Sequence, residues 1–240
     1  SKESKVKVIN IELTSEDYVF AVKTGDTVTQ TALNTFMAEL KEAGTFDEIV
    51  NSFFDGTSEF TYSNPASKDG CIVVATSADF PPFEYKSGDK FTGIDMQIAY
   101  LFAQDQGKQL YIDDIGFDQV ILSMGQASSE YTLGMAGITY SEERDETMDF
   151  SEPYYTSAQV IIVKEDDATF DGCTSAAEIE EILKEQSSSY KIGTQKGTTG
   201  YMYSAGDESF GYPGFTNLET LMYDAGALAV KDLSNGKINA

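Results

Sequence analysis

The sequence predicts an α/β protein with largely parallel sheets, and three observations lead there. Short apolar runs alternate along the chain with stripes of helical period. The strongest runs, Cys71–Thr76 and Ala158–Lys164, read as strands in a chain where strands alternate with helices. At 240 residues and 41% hydrophobic content, the chain has room for one large domain or for two lobes, each with its own core.

Taken in order, Val6–Ile11 alternates like a strand, and Tyr18–Val22 is a second, more apolar one after a polar connection. Thr27–Ala43 is an amphipathic helix with Leu33, Phe36, Met37 and Leu40 on one stripe and Gly44 as its stop. Thr45-Phe46-Asp47-Glu48 has the pattern of a capping box opening a helix with Ile49, Val50 and Phe53 inward. Residues 57–70 lose periodicity and read as a surface linker.

A new unit begins at the strand Cys71–Thr76. It runs into Ser77–Tyr85, where Pro81 and Pro82 forbid regular pairing and present aromatic rings. Ser87–Lys90 is a hairpin-like turn, and Asp95 is expected to cap a helix carrying Ile94, Ile98, Leu101 and Phe102 inward. Leu110–Ile115 is a strand and Phe117–Ala127 a helix. Thr174–Gln186 is a helix, Tyr190–Thr194 a strand, Phe215 part of a short strand, and the region from Leu218 to Asn235 mainly helical.

Composition narrows function. A formal charge of −24 argues against nucleic acid or an anionic membrane surface as partner. The absence of histidine removes Ser-His-Asp and Cys-His catalysis and the usual zinc ligands, so neither a metal nor a cofactor is implied. Of the two cysteines, Cys71 reads as a buried free thiol, and nothing in its spacing from Cys173 supports a disulfide. No apolar span approaches the roughly eighteen residues of a membrane helix.

The stretch with most chemistry is Gly137-Ile138-Thr139-Tyr140-Ser141-Glu142-Glu143-Arg144, after the short buried strand Leu133–Ala136. Ser141 is placed to cap a short helix, which leaves Thr139, nearby N–H groups and the Arg144 guanidinium facing one point. Backbone donors, a hydroxyl and a fork-shaped cation suit a carboxylate. On these residues alone an arginine tied up by Glu142, Glu143 and Asp145 is an equal alternative.

Ile72–Thr76 with Phe80-Pro81-Pro82-Phe83-Glu84-Tyr85, the Gly93-Ile94-Asp95 helix start, Ala136–Thr139 with Glu143-Arg144, Asp149-Phe150-Ser151 with Tyr154-Tyr155, and Gly197-Thr198-Thr199 together resemble the polar amino-acid-binding proteins of ABC importers, extracellular solute-binding protein family 3. The resemblance implies a two-lobed periplasmic-binding-protein-like fold, each lobe a mainly parallel sheet flanked by helices, joined by two crossing strands. It implies that a free amino acid is captured between the lobes by closure, hinged near Thr14–Asp17 and Thr156–Gln159.

By the same resemblance Arg144 pairs with the ligand carboxylate, with the Thr139 hydroxyl and backbone and the Thr199 N–H beside it. The Gly137 carbonyl takes the ammonium. Phe80 and Phe117 sandwich the aliphatic part, while Ser77, Gln195 and the Gly197–Gly200 turn with Thr198 line the rest. Ser77 stands where relatives that hold cationic side chains often have an acid, and Gln195 suits a neutral polar group, so a neutral polar amino acid is expected.

The family's order is permuted here. Residues 70–240 resemble its first two-thirds and 1–56 its final third, as in a circular permutation or a slice across two tandem domains. The expected lobes are 18–56 with 70–157, and 1–14 with 160–240, with 57–69 as the linker. The segment that carries the family's ammonium-binding aspartate has no counterpart, which implies weakened binding or a dimer formed by strand exchange. Expected partners are the amino acid and the membrane subunits of an ABC transporter, and the expected location is extracytoplasmic. A receptor or kinase sensing domain is the alternative, and a dehydratase-like enzyme, using Glu84 or Glu143 as acid, a third reading.

Overall fold

The computed structural model describes residues 5–240. In chain order the elements are strands β1 (Val6–Ile9) and β2 (Glu16–Lys23), helices α1 (Thr27–Glu42) and α2 (Thr45–Phe54), and strands β3 (Ile72–Thr76), β4 (Asp79–Phe80), β5 (Glu84–Ser87) and β6 (Lys90–Thr92). There follow α3 (Ile94–Asp105), β7 (Leu110–Asp114), α4 (Phe117–Met124), β8 (Leu133–Thr139), α5 (Glu142–Asp145), β9 (Met148–Phe150), β10 (Tyr155–Ser157) and β11 (Ile161–Lys164). The chain ends with α6 (Ala176–Glu185), β12 (Lys191–Gln195), α7 (Thr199–Ala205), β13 (Glu219–Tyr223) and α8 (Gly226–Ser234).

Two compact units divide the chain. One holds the described residues up to Glu16 together with Thr156–Ala240; the other is Asp17–Tyr155. In the second, the main sheet runs β10-β2-β8-β3-β7, with β9 also on β2. β3 is parallel to both β7 and β8, and β2 is antiparallel to β8 and β9, so the sheet is mixed. Both faces are covered, which is why β2 reads as a continuous apolar run. Tyr18, Phe20 and Val22 enter the core beneath α1, α2 and α3, whereas Val19 and Ala21 enter the one beneath α4.

The stretch 57–69 contains no helix or strand of its own, yet it is held against this unit by specific bonds. Tyr62 exchanges backbone bonds with Phe91, and its hydroxyl donates to the Leu110 carbonyl at 2.6 Å. Asn64 pairs with both backbone groups of Ile112: its Nδ2 donates to the carbonyl at 2.7 Å, and its Oδ1 accepts from the N–H at 2.8 Å. A side-chain amide thus completes the outer edge of β7 as a neighbouring strand would, a device that periodicity cannot reveal.

In the first unit, β1 and β11 are antiparallel, and β12 and β13 are parallel in full register. Ile9, Val163, Ile179 and Leu183 share one core, while α8 packs Ala229 and Leu233 with Ile238 against Val6 and Ile162.

Several local expectations are corrected. The region from Leu218 is not mainly helical, because Glu219–Tyr223 pairs along β12 before α8 begins. Phe215 lies outside the named strands; its N–H donates to the Ser204 carbonyl and its ring is core. Thr45 is no cap: Gly44, at φ 78°, occupies that position without a side-chain bond. Asp95 does not cap α3, whose N-cap is Gly93. At φ 121° and with a Cβ only 2.2 Å from the Phe83 carbonyl oxygen, that position admits no side chain. Cys71 precedes its strand and is partly exposed; it and Cys173 are both free.

Replacing Asn64 with Ala leaves two backbone groups of β7 without partners and is expected to cost about 1–3 kcal/mol in urea unfolding. Val28→Ala, on a side chain 80% exposed, serves as the control and should stay within about 0.5 kcal/mol of the parent.

Candidate functional site

Strand β8 ends at Thr139, and Ser141 caps the single turn of α5 by accepting from the Arg144 N–H at 3.2 Å. That turn brings Arg144 back under the strand end. The side chain is 5% exposed, its Nη1 donates to the Thr139 carbonyl at 2.7 Å, and its guanidinium lies 5.9 Å from the centre of the Phe117 ring. A guanidinium beside an aromatic ring gains from the ring's negative face. Arg144, Thr139 and Phe117 are therefore brought together. Phe117 also belongs to the core with Val120 and Met124, so its ring serves packing and the cation at once.

Phe80 sits elsewhere in the same unit. It is 40% exposed and stacks on Phe83 with ring centres 5.6 Å apart. Gly137 lies beneath it with φ 55°; a Cβ there would stand 3.1 Å from the Phe80 ring and 3.4 Å from that of Tyr18. The glycine lets the aromatic cover approach the backbone. Ser77 is buried, and its hydroxyl donates to Asp79 Oδ1 at 3.2 Å. The position where a carboxylate is absent in sequence thus has one two residues away, facing it.

Behind Gly137 lies a group of residues the sequence reading did not assemble. The Tyr154 hydroxyl donates to both oxygens of Asp95 at 2.9 and 3.1 Å, and the Gly137 N–H reaches Asp95 Oδ2 at 3.4 Å. Glu84 is buried with them, and its Oε2 has no hydrogen-bond partner among the described residues. Burial, offset in part by the Tyr154 and Gly137 donors, pushes Asp95 up to about 7; burial and the charge of Asp95 hold Glu84 well above the usual carboxyl range. In sequence Asp95 stands out as a helix start, and Glu84 and Tyr154 only as members of separate motifs.

In the other unit, Gln195, Thr198 and Thr199 lie where β12 turns into α7. The Thr198 hydroxyl donates back to the Gln195 carbonyl at 2.7 Å, and the Gln195 amide leans on the Asp224 carbonyl at 3.4 Å. Thr199 is buried and donates its hydroxyl to Glu16 Oε2 at 2.7 Å. Glu16, itself buried, also accepts from Thr14 at 2.7 Å and from the Gln159 amide at 3.2 Å. Sequence reasoning marked 14–17 and 156–159 only as crossings and missed this acceptor, whose partners lie up to 183 positions away.

The model of the bacterial extracellular solute-binding proteins, family 3, matches residues 72–233 of the chain. The chain belongs to that family. Among curated relatives it is 36% identical over 106 residues to the arginine-binding extracellular protein ArtP of Bacillus subtilis, covering 43% of this chain and 41% of that one. It is 26% identical over 181 residues to ABC transporter arginine-binding protein 1 of Escherichia coli, covering 75% and 65%. The chain thus spans less than two-thirds of these relatives. Among solved structures, holo ArgBP from T. maritima has a TM-score of 0.57 at 30% identity, covering 71% of this chain and 67% of that one. An ancestral amino acid-binding protein, a precursor of cyclohexadienyl dehydratase, has a TM-score of 0.59 at 26% identity and covers 81% and 71%. These neighbours support the two-lobed amino-acid-binding fold for this family member. Among the described residues no helix is long and apolar enough to cross a membrane.

Glu16→Ala removes one acceptor from two hydroxyls and an amide at the root of α7. Loss of hydrogen bonds to a buried charge is expected to cost about 2–3 kcal/mol in thermal or urea unfolding. Thr198→Val, which removes a single hydroxyl bond to a carbonyl, should cost about 1 kcal/mol or less.

Proposed function

We propose that this family member is the extracytoplasmic binding protein of an amino-acid ABC transporter, and that Arg144 holds the ligand's α-carboxylate. One observation carries the reading: a buried guanidinium laid over Phe117 at the end of β8, beside Thr139. Strand ends of open α/β sheets are where such folds place ligands. A fork of parallel N–H donors matches a carboxylate in two bonds rather than one. Thr139 adds a hydroxyl, the Gly137 carbonyl accepts from the ammonium, and Phe80 covers the aliphatic part. Ser77, Gln195, Thr198 and the Thr199 N–H are assigned to the same ligand through the family resemblance, and so is its capture by closure of the lobes.

For the ligand's side chain, a basic group is the first reading. Asp79, bonded to Ser77, puts a carboxylate next to Phe80, and several relatives are named for arginine. A neutral polar side chain is the second, favoured by Ser77 and by the amide of Gln195. We assign residues up to 56 to the family's C-terminal part in permuted order. The inner place of β2, between β10 and β8, and the packing of α1 and α2 on the same core support that assignment. The membrane subunits of the transporter are the proposed partners, and capture rather than turnover is the proposed activity.

A thermal-shift series over the common amino acids tests the ligand. A bound ligand at about a hundred times its Kd stabilises by about 2.7 kcal/mol, so the specific amino acid should stand clear of the rest. Lysine and arginine rising together support the first reading, and glutamine or serine the second; no shift with any of them removes the function. Arg144→Ala and Arg144→Lys should each weaken calorimetric binding by about 2–5 kcal/mol. Binding within twofold of the parent would end the carboxylate anchor.

A further inference from the structure

Glu84 on β5, Asp95 in the first turn of α3 and Tyr154 meet in the core of the Asp17–Tyr155 unit, and all three are buried. Asp95 accepts from the Tyr154 hydroxyl on both oxygens and from the Gly137 N–H on Oδ2. Those donors suit a carboxylate at Asp95. Glu84 is the second buried carboxyl of this group, and two ionised acids buried together would each lose water and repel the other. A proton must stand between them, and with Asp95 already accepting, it resides on Glu84.

A second observation agrees. Glu84 Oε2 is buried and receives no bond from any N–H or O–H among the described residues. An ionised oxygen so placed would lose its water without compensation, whereas a neutral acid tolerates the site. The charges that bear most on Glu84 are Asp95 on α3 and Asp79 on β4, both acidic. From β2 the group is approached by Tyr18, which faces Tyr154, and from β8 by the backbone of Gly137.

We propose that Glu84 and Asp95 share a single proton in the core and that this proton holds Gly137 in place, so that losing it loosens the β8 end that carries Thr139 and Arg144. Glu84 is then a positioning residue for the ligand; that last step rests on the function proposed above. With the proton gone to solvent, two charges face each other and Asp95 must give way. Asp95 is what ties Gly137 to α3 and Tyr154, and Gly137 sits in a left-handed conformation that has little slack beneath Phe80.

The sign follows from burial. Both acids titrate higher in the folded protein than in the unfolded chain. The stabilisation is complete below the ordinary carboxyl range and is lost as pH rises through the raised values. Glu84→Gln supplies a permanent N–H donor to Asp95 and leaves Asp95 as the one acid of the pair that titrates.

The test is the Gly137 amide resonance of the ligand-free chain, followed from about pH 5 to 9 alongside urea unfolding over the same range. In the parent the resonance should titrate with the loss of stability, and in Glu84→Gln, where no second charge can form beside Asp95, both changes should be clearly smaller. Tyr154→Phe removes a donor that favours the Asp95 carboxylate, so the proton should be kept to higher pH and the midpoint should rise. This variant decides the matter if Glu84→Gln does not fold. A Gly137 resonance that does not titrate, or that titrates alike in the parent and Glu84→Gln, overturns the proposal; so does an unmoved midpoint in Tyr154→Phe. Affinity for L-arginine and L-glutamine, measured in parallel, should fall about tenfold across the parent's titration, about 1.4 kcal/mol, and clearly less in Glu84→Gln. If the resonance titrates as expected but neither amino acid binds, the shared proton stands and the ligand reading fails.

Discussion

Asp95 is buried in the first turn of α3 with a hydroxyl and a backbone N–H directed at it, and the site loop depends on that arrangement. A carboxyl group is costly to bury, and the cost is met here by joining segments that are far apart in sequence. Glu84 comes from the small antiparallel sheet, Tyr154 from the lead into β10, and Gly137 from the end of β8. The start of α3 is fixed independently, because the N–H groups of Ile94 and Asp95 donate to the carbonyls of Pro82 and Phe83. The backbone beneath Phe80 therefore has polar anchors on one side and an aromatic cover on the other.

The aromatic cover is itself a connected set. Phe80 stacks on Phe83, Phe83 meets Tyr18 and Tyr155 edge-on at 5.3 and 5.0 Å, and Tyr155 stacks with Phe54. A chain without tryptophan builds this surface from phenylalanine and tyrosine, whose quadrupoles favour such edge and offset contacts. Residues of α2, β2 and β4 share this surface, with Phe54 and Phe80 as its exposed rings. Arg144 sits on a different ring, Phe117, which faces the opposite core.

Glu16 plays a comparable part in the other unit. Its carboxylate gathers Thr14, Gln159 and Thr199, so the two places where the chain leaves and re-enters that unit are tied to the start of α7. Acids are plentiful in this chain, but among the described residues Glu16, Glu84 and Asp95 are the buried ones, and of these Glu16 and Asp95 each accept several donors.

Local pattern alone determined the strands β2, β3 and β8, the helices α1, α3, α4 and α6, and the cap at Ser141, because each has apolar periodicity or a short-range polar cue. It also singled out Gly137, Thr139 and Arg144 as one chemical group, since a glycine, a hydroxyl and an arginine within eight residues meet across one turn. Contacts without such a signal were decided by tertiary structure. Glu219–Tyr223 became a strand only through pairing with β12, Asn64 became an edge partner only through Ile112, and Asp95 was drawn from a capping role into a core shared with Glu84 and Tyr154. A hydrogen bond between residues tens of positions apart leaves no period in the sequence, so burial and long-range pairing, which exist only once the chain has folded, chose among the options that local pattern left open.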